Sequence, residues 1–335
     1  MVPFGGWEMP LSYPTGTLAE HRACRDAAAV FDVSHLGTVR VDGPDAFDRL
    51  QAVLTNDLGR IGPGRAQYTH LLDDADASVL DDLVVWWVGE RRFDVMANAS
   101  NTDRVRQALG GRDVTAERVV LAIQGPRARA HLARVWPEAA QVRRFGLAVL
   151  ERAGSEAVVA GTGYTGEDGV EVALSPAPAE ALWQALVDDG VTPAALGARD
   201  TLRLEAALPL HGQELGPGIT PLQAGLAWVV AWDKPGGFQG RDALAAERER
   251  GVARRLRGLT AEGRRPPRAG QQVALDGEPV GVVTSGNFSP VLGHGIALAF
   301  LPPAVGEGTE VTIEARGEPL AARVVPTPFV RRRGR

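Results

Sequence analysis

The chain has 335 residues, 44% of them hydrophobic and 23% charged, which describes a globular protein with room for two or three cores. A formal charge of −5 gives no electrostatic case for nucleic acid or an anionic membrane as partner. Cys24 is the only cysteine, which excludes a disulfide and a thiolate metal cluster; six histidines without HExxH or HxH spacing argue against zinc. Lys234 is the only lysine, so there is no P-loop and a single candidate for a Schiff base.

No basic segment followed by an apolar run opens the chain, and its longest apolar stretch, around 226–232, is too short to span a bilayer. A cytoplasmic protein without a membrane segment is expected. Helical periodicity is predicted over 17–29, 45–54, 101–109, 177–188 and 196–208, and strands over 37–41, 83–88, 93–97, 119–124 and 170–174. The irregular alternation of these elements lacks the βαβ rhythm of a parallel sheet. A charged helix ends near Arg250, and the texture then changes to short strands between Gly and Pro turns, at 272–275, 280–284, 295–300, 310–315 and 321–325. That spacing suggests a small β-barrel or jelly roll.

Gly161-Thr-Gly-Tyr-Thr-Gly166 matches the G-x-G-x-x-G fingerprint of dinucleotide binding after the strand-like run 156–160. Such a loop holds pyrophosphate only if a helix begins at its glycines. Here Gly169 interrupts any helix, and Val170, Val172 and Leu174 alternate with Glu171 and Ala173 as in a strand. The segment therefore reads as strand, glycine turn, strand, with Tyr164 and several carboxylates beside an open backbone. At Leu80-Asp-Asp-Leu83, two adjacent carboxylates at a strand start must point to opposite faces, so only one of Asp81 and Asp82 can enter a given cavity.

Eight strings occur in a fixed order: Pro3-Phe-Gly-Gly-Trp-Glu-Met-Pro10, Phe31-Asp-Val-Ser-His35, Thr55-Asn-Asp57, Leu80-Asp-Asp-Leu83, Tyr164-Thr-Gly-Glu-Asp-Gly-Val-Glu171, Leu196-Gly-Ala-Arg-Asp-Thr-Leu-Arg-Leu-Glu-Ala206, His211-Gly-Gln-Glu214 and Ser285-Gly-Asn-Phe-Ser-Pro290. Together they resemble the aminomethyltransferase, or T-protein, family of the glycine cleavage system, from Pro3 to about Arg331. The resemblance implies an α+β cloverleaf of two mixed lobes, largely antiparallel, with a C-terminal β-barrel or jelly-roll lobe. It implies a folate-binding region over 1–240, a connecting helix over 241–252 and a barrel over 253–330. The reaction implied moves the aminomethyl carbon from the lipoyl arm of H-protein to tetrahydrofolate, giving ammonia and 5,10-methylenetetrahydrofolate.

By the same resemblance Asp81 is expected to be catalytic, as a carboxylate that accepts a proton and offsets developing positive charge. Glu171 is expected to take the pterin edge by paired hydrogen bonds, with Tyr164, Tyr68, Asn98, Arg199 and the C-terminal Arg331 as further folate contacts. Asp82 and the histidines His35, His70 and His211 are read as structural. One departure from the family is Ala77-Ser78 where a Gly-Gly pair usually precedes the two aspartates. Other readings are a related folate-dependent demethylase and a non-catalytic folate-binding tRNA-modification protein. The latter group carries a Lys-Gly-Cys motif where this chain has Phe238-Gln-Gly-Arg-Asp-Ala-Leu244.

Overall fold

The computed structural model describes residues 1–315 and 317–331. Contacts divide the chain into two units. The first holds Met1–Leu72, Leu80–Arg199 and Val229–Gln239; the second takes Asp73–Val79, Asp200–Trp228 and the chain from Gly240 onward. Among the described residues no helix is long and apolar enough to cross a membrane, which says nothing of β-barrels.

The first unit is built on two sheets. A five-stranded sheet runs in the order Arg65–Leu72, Val79–Gly89, Arg92–Ala97, Gly37–Asp42, Arg112–Asp113. One face carries Val39, Val41, Leu83, Val85, Phe93 and Val95 at every second position, and these close on Leu50 of the helix Ala46–Val53 and on Val105 and Leu109 of the helix Thr102–Leu109. A six-stranded sheet runs Leu147–Arg152, Ser155–Ala160, Gly169–Leu174, Val119–Gln124, Ala29–Asp32, Thr192–Pro193, with only the last pair parallel. Its core face packs on Leu132 of the helix Ala128–Val135 and on Leu182 and Leu186 of Pro176–Asp188.

The glycine-rich segment joins two antiparallel strands of this second sheet, Ala160 pairing with Glu171. No helix follows it, so no helix N-terminus is offered to a pyrophosphate. Its glycines serve close packing instead. A Cβ at Gly161 would lie 2.0 Å from the Arg143 carbonyl, and one at Gly163 would lie 2.0 Å from Gln124 Oε1.

The second unit contains a closed barrel in the order Arg255–Ala261, Gly295–Leu301, Glu278–Phe288, Gln272–Leu275, Glu310–Ala315, Glu318–Val325, and back to Arg255–Ala261. Alternation fills its interior: Leu320, Ala322 and Val324 from one strand, Val311, Ile313 and Ala315 from its neighbour. The turn before the two aspartates belongs to this unit. Ala77, standing where the family usually has glycine, adopts φ 59°. A left-handed alanine costs roughly 1–2 kcal/mol; the turn accepts it while Ala77 N–H donates to the Asp73 carbonyl at 3.0 Å and Ser78 N–H to Asp76 Oδ1 at 2.8 Å.

Arg203, 2% exposed and near the end of the helix Leu196–Glu205, donates to Glu214 Oε2 at 3.0 Å and to Ser285 Oγ at 2.8 Å, tying that helix end to the barrel strand Glu278–Phe288. Removing one member of such a buried pair strands the other's charge, so Arg203→Met should lower stability in urea by roughly 3–5 kcal/mol. A change below about 1 kcal/mol would mean that Glu214 finds another partner or a proton.

Candidate active site in the first unit

Along Val79–Gly89, burial alternates strictly over Val79–Val85. Asp81 falls on the face of Leu83 and Val85 and is 0% exposed; Asp82 falls on the opposite face and is half-exposed. Asp81 accepts the Asn98 backbone N–H at 3.1 Å, Asn98 Nδ2 at 2.7 Å and Asn101 Nδ2 at 2.9 Å. Asn98 sits where the strand Arg92–Ala97 ends, and its amide also donates to Asp82 Oδ1 at 2.8 Å. One amide thus clamps both carboxylates. Burial, then the charge of Asp82, raises the Asp81 pKa above the usual carboxylate range, against the hydrogen bonds of Asn98 and Asn101.

Asp82 is no solvated turn residue. Its Oδ2 accepts the Tyr68 hydroxyl at 3.0 Å, and Tyr68 is met in turn by His70 Nε2 at 3.3 Å. Tyr68 and His70 are two apart on the strand Arg65–Leu72 and so share a face, their rings edge to face at 5.2 Å. Burial first, then Asp82, pushes the Tyr68 pKa well above its ordinary value, so the phenol stays protonated and donating.

Tyr164 of the hairpin lies near enough that its ionisation would raise the Tyr68 pKa further, so the hairpin neighbours this cluster. The Arg199 guanidinium lies 4.9 Å from the centre of the Tyr164 ring. Among the described residues the Arg199 side chain makes no hydrogen bond or ion pair, although it is half-buried. Burial lowers its pKa, opposed by the charge of Glu171. Glu171 is 8% exposed and accepts the Thr162 hydroxyl on one oxygen; burial raises its pKa, opposed by Thr162 and Arg199. The hairpin is braced from behind by Arg25, which donates to the Thr165 carbonyl at 2.8 Å and to Glu167 Oε1 at 2.7 Å.

The first unit therefore carries Asp81, Asn98, Tyr68, Tyr164, Glu171 and Arg199 in two neighbouring clusters. Arg331 is exposed and lies in the second unit. A separate cavity of about 290 Å³, lined by Arg40, Trp86, Arg92, Asp94 and Arg118 among others, contains none of them. Lys234 is spent as a helix cap: its Nζ donates to the carbonyls of Gln51 at 2.5 Å, Asn56 at 3.3 Å and Leu54, so it offers no free amine. Burial lowers its pKa to about 8. Asp82 and His70, read from the sequence as structural, and Asn101, which completes the Asn98-Ala-Ser-Asn101 motif, join the hydrogen-bonded carboxylate cluster, and Thr162 joins Glu171 without a sequence signal. For Asp82 the signal was present but weak. Leu83 and Val85 mark one face as core, yet Val84 and Trp86 are apolar too and blur the parity.

Burial lowers the His70 pKa to about 3, and burial with Arg199 and Arg118 does the same for His35. Each histidine is neutral when folded, against an unfolded value near 6.5. Their stability contribution is present above that value and is lost as pH falls from 6.5 through about 3, because the unfolded state then binds the extra protons. His70→Gln should flatten the pH dependence of urea stability in this window by about one proton, ~1.4 kcal/mol per pH unit. An unchanged slope would show that His70 does not titrate on unfolding.

Two helix-packed, largely antiparallel sheets, a carboxylate pair and a closed barrel define the class. Residues 1–234 match the family described as the GCVT N-terminal domain, and residues 254–331 match the glycine cleavage T-protein C-terminal barrel domain. An aminomethyltransferase of Synechococcus elongatus is 46% identical, with 98% of this chain and 91% of that protein covered. One of Rubrobacter xylanophilus is also 46% identical, over 99% and 91%. The crystal structure of the glycine cleavage system aminomethyltransferase T from Bartonella henselae superposes with a TM-score of 0.91 at 37% identity, covering 98% of this chain and 93% of that one. The chain belongs to the glycine cleavage T-protein (aminomethyltransferase) family.

Proposed function

We propose that this chain, in the cytoplasm, transfers the aminomethyl carbon carried on the lipoyl arm of H-protein to tetrahydrofolate. Ammonia, dihydrolipoyl H-protein and 5,10-methylenetetrahydrofolate are the products. The observation that carries the folate assignment is the half-buried Arg199 cation, without an ion pair among the described residues, over the Tyr164 ring and within electrostatic reach of Glu171. Glu171 uses one oxygen on Thr162 and has the other to offer, so a flat ligand with adjacent N–H donors and a carbonyl acceptor fits this arrangement.

In this proposal Glu171 takes the N–H edge of the pterin, Arg199 its carbonyl, and Tyr164 its face. Bound folate supplies the nucleophilic nitrogen that receives the carbon. Asp81 and Asp82 work as a unit. Asp82 is the accessible member, aimed by Tyr68 and Asn98, and takes the proton that a nucleophilic nitrogen gives up. Asp81 lies behind it, held by three N–H donors, and shares with it the negative charge of the pair, which offsets the cationic character that grows on the transferred carbon. Asn98, expected to touch ligand, acts as the clamp between the two. For Arg331 the proposal of a folate contact rests on the family resemblance alone.

The test is turnover with aminomethyl-lipoyl H-protein and tetrahydrofolate. Equal amounts of ammonia and methylenetetrahydrofolate are expected. Formation of neither, with a protein shown to be folded, would overturn the assignment.

A further inference from the structure

His70 is fully buried, and its Nδ1 has no hydrogen-bond partner among the described residues. A buried N–H without an acceptor costs more than a buried lone pair without a donor, so the proton belongs on Nε2. That atom faces the Tyr68 oxygen at 3.3 Å. With Nε2–H donating to the phenol oxygen, the phenol's own proton is directed to Asp82 Oδ2, 3.0 Å away. Asp82 shares the Asn98 amide with Asp81. The order of donation is then fixed along one line: imidazole to phenol, phenol to carboxylate.

We propose that His70 is a positioning residue: its Nε2–H locks the Tyr68 hydroxyl as a donor to Asp82 and thereby sets where the carboxylate pair holds its proton. A phenol that accepts one hydrogen bond donates a stronger one, which favours the ionised form of Asp82. Burial is the only cause acting on His70 itself, and it keeps the ring neutral through the working pH range. The charged groups that reach Tyr68 are Asp82 and Asp81 on the neighbouring strand; Tyr164 on the hairpin would add to them only as a phenolate. Without the imidazole donor, the phenol keeps its place less firmly and the pair becomes more basic.

The inference rests on the proposed reaction only for its kinetic arm, so the decisive experiment reads protonation directly. Nitrogen-15 NMR of the wild-type imidazoles reports the tautomer of His70. Carbon-13 NMR of labelled aspartate carboxyls, assigned with Asp82→Asn, follows the pair in wild type, His70→Leu and His70→Gln. The Nε2–H tautomer is expected from about pH 5 to 8. In His70→Leu the carboxylate titration should move up by about half a pH unit, with the acid limb of the kcat profile moving alike. His70→Gln places an amide N–H near the same point and should restore both. An Nδ1–H tautomer in the wild type would overturn the proposal, whichever variants fold. So would identical titrations in the wild type and His70→Leu. Absence of turnover in the wild type would remove the reaction assignment and leave the NMR result to decide the role of His70.

Discussion

Asp82→Asn is expected to lower turnover by ~10²–10⁴-fold, the range for loss of a general acid–base group, with little loss of stability. The substitution keeps size and an acceptor for Tyr68, and it turns an NH2 toward Asn98 Nδ2 only at a half-exposed edge where water can take both donors; it removes charge and basicity from the accessible member of the pair. Asp81→Asn should fail in a different way. Its carboxylate accepts three N–H donors in a site closed to water, and an amide there brings a donor against donors. A stability loss of roughly 1–3 kcal/mol should accompany any loss of activity. Rates at saturating H-protein and urea melts of both variants separate the two outcomes. A healthy Asp82→Asn beside a folded but inactive Asp81→Asn would give the proton to the buried carboxylate alone. If both variants turn over normally, the pair has no part in the chemistry.

Glu171→Ala should weaken tetrahydrofolate binding by roughly 30- to 150-fold, equivalent to ~2–3 kcal/mol of charge-assisted hydrogen bonding. The unliganded protein should fold normally, because Thr162 is the only hydrogen-bond donor that Glu171 satisfies among the described residues. In the wild type, folate at ~100 times its dissociation constant adds about 2.7 kcal/mol of stability. Most of the resulting thermal shift should vanish in the variant. Calorimetry that finds the same affinity in both proteins would return Glu171 to a structural role.

Much of the fold could be read from the chain because several elements bury one face with a clear period. The strands at 119–124, 272–275 and 310–315 were bounded to the residue, and the helices near 45–54 and 177–188 to within one. Elements that bury little gave no such signal. Leu147–Arg152 is an edge strand whose residues are all at least partly exposed, and the helix Ala128–Val135 buries only Ala128 and Leu132. The helical period over 17–29 suggests one helix, whereas the helix ends at Asp26 and a strand begins at Ala29. Small apolar residues such as Ala27, Ala28 and Ala29 suit either state, and pairing with Val119–Gln124 decides between them.

The site was legible where a residue's chemistry is carried by its immediate neighbours. Tyr164, Glu171 and Arg199 came from continuous strings and lie in one cluster. The carboxylate pair was harder. Alternation correctly separated Asp81 from Asp82, yet nothing local told which face is core, because apolar residues flank both. Asn98 was expected to touch ligand, and its commitment to two carboxylates follows from strand pairing that no short string encodes.

The most direct test of the account is a crystal structure of the protein with 5-methyltetrahydrofolate, whose methylated N5 cannot accept the carbon. The pterin should lie in the first unit with its N–H edge on Glu171, its carbonyl toward Arg199 and its face on Tyr164, and Asp82 rather than Asp81 should be the carboxylate nearest the folate nitrogens. A pterin bound away from Glu171 and Arg199, or none bound at saturating concentration, would contradict it.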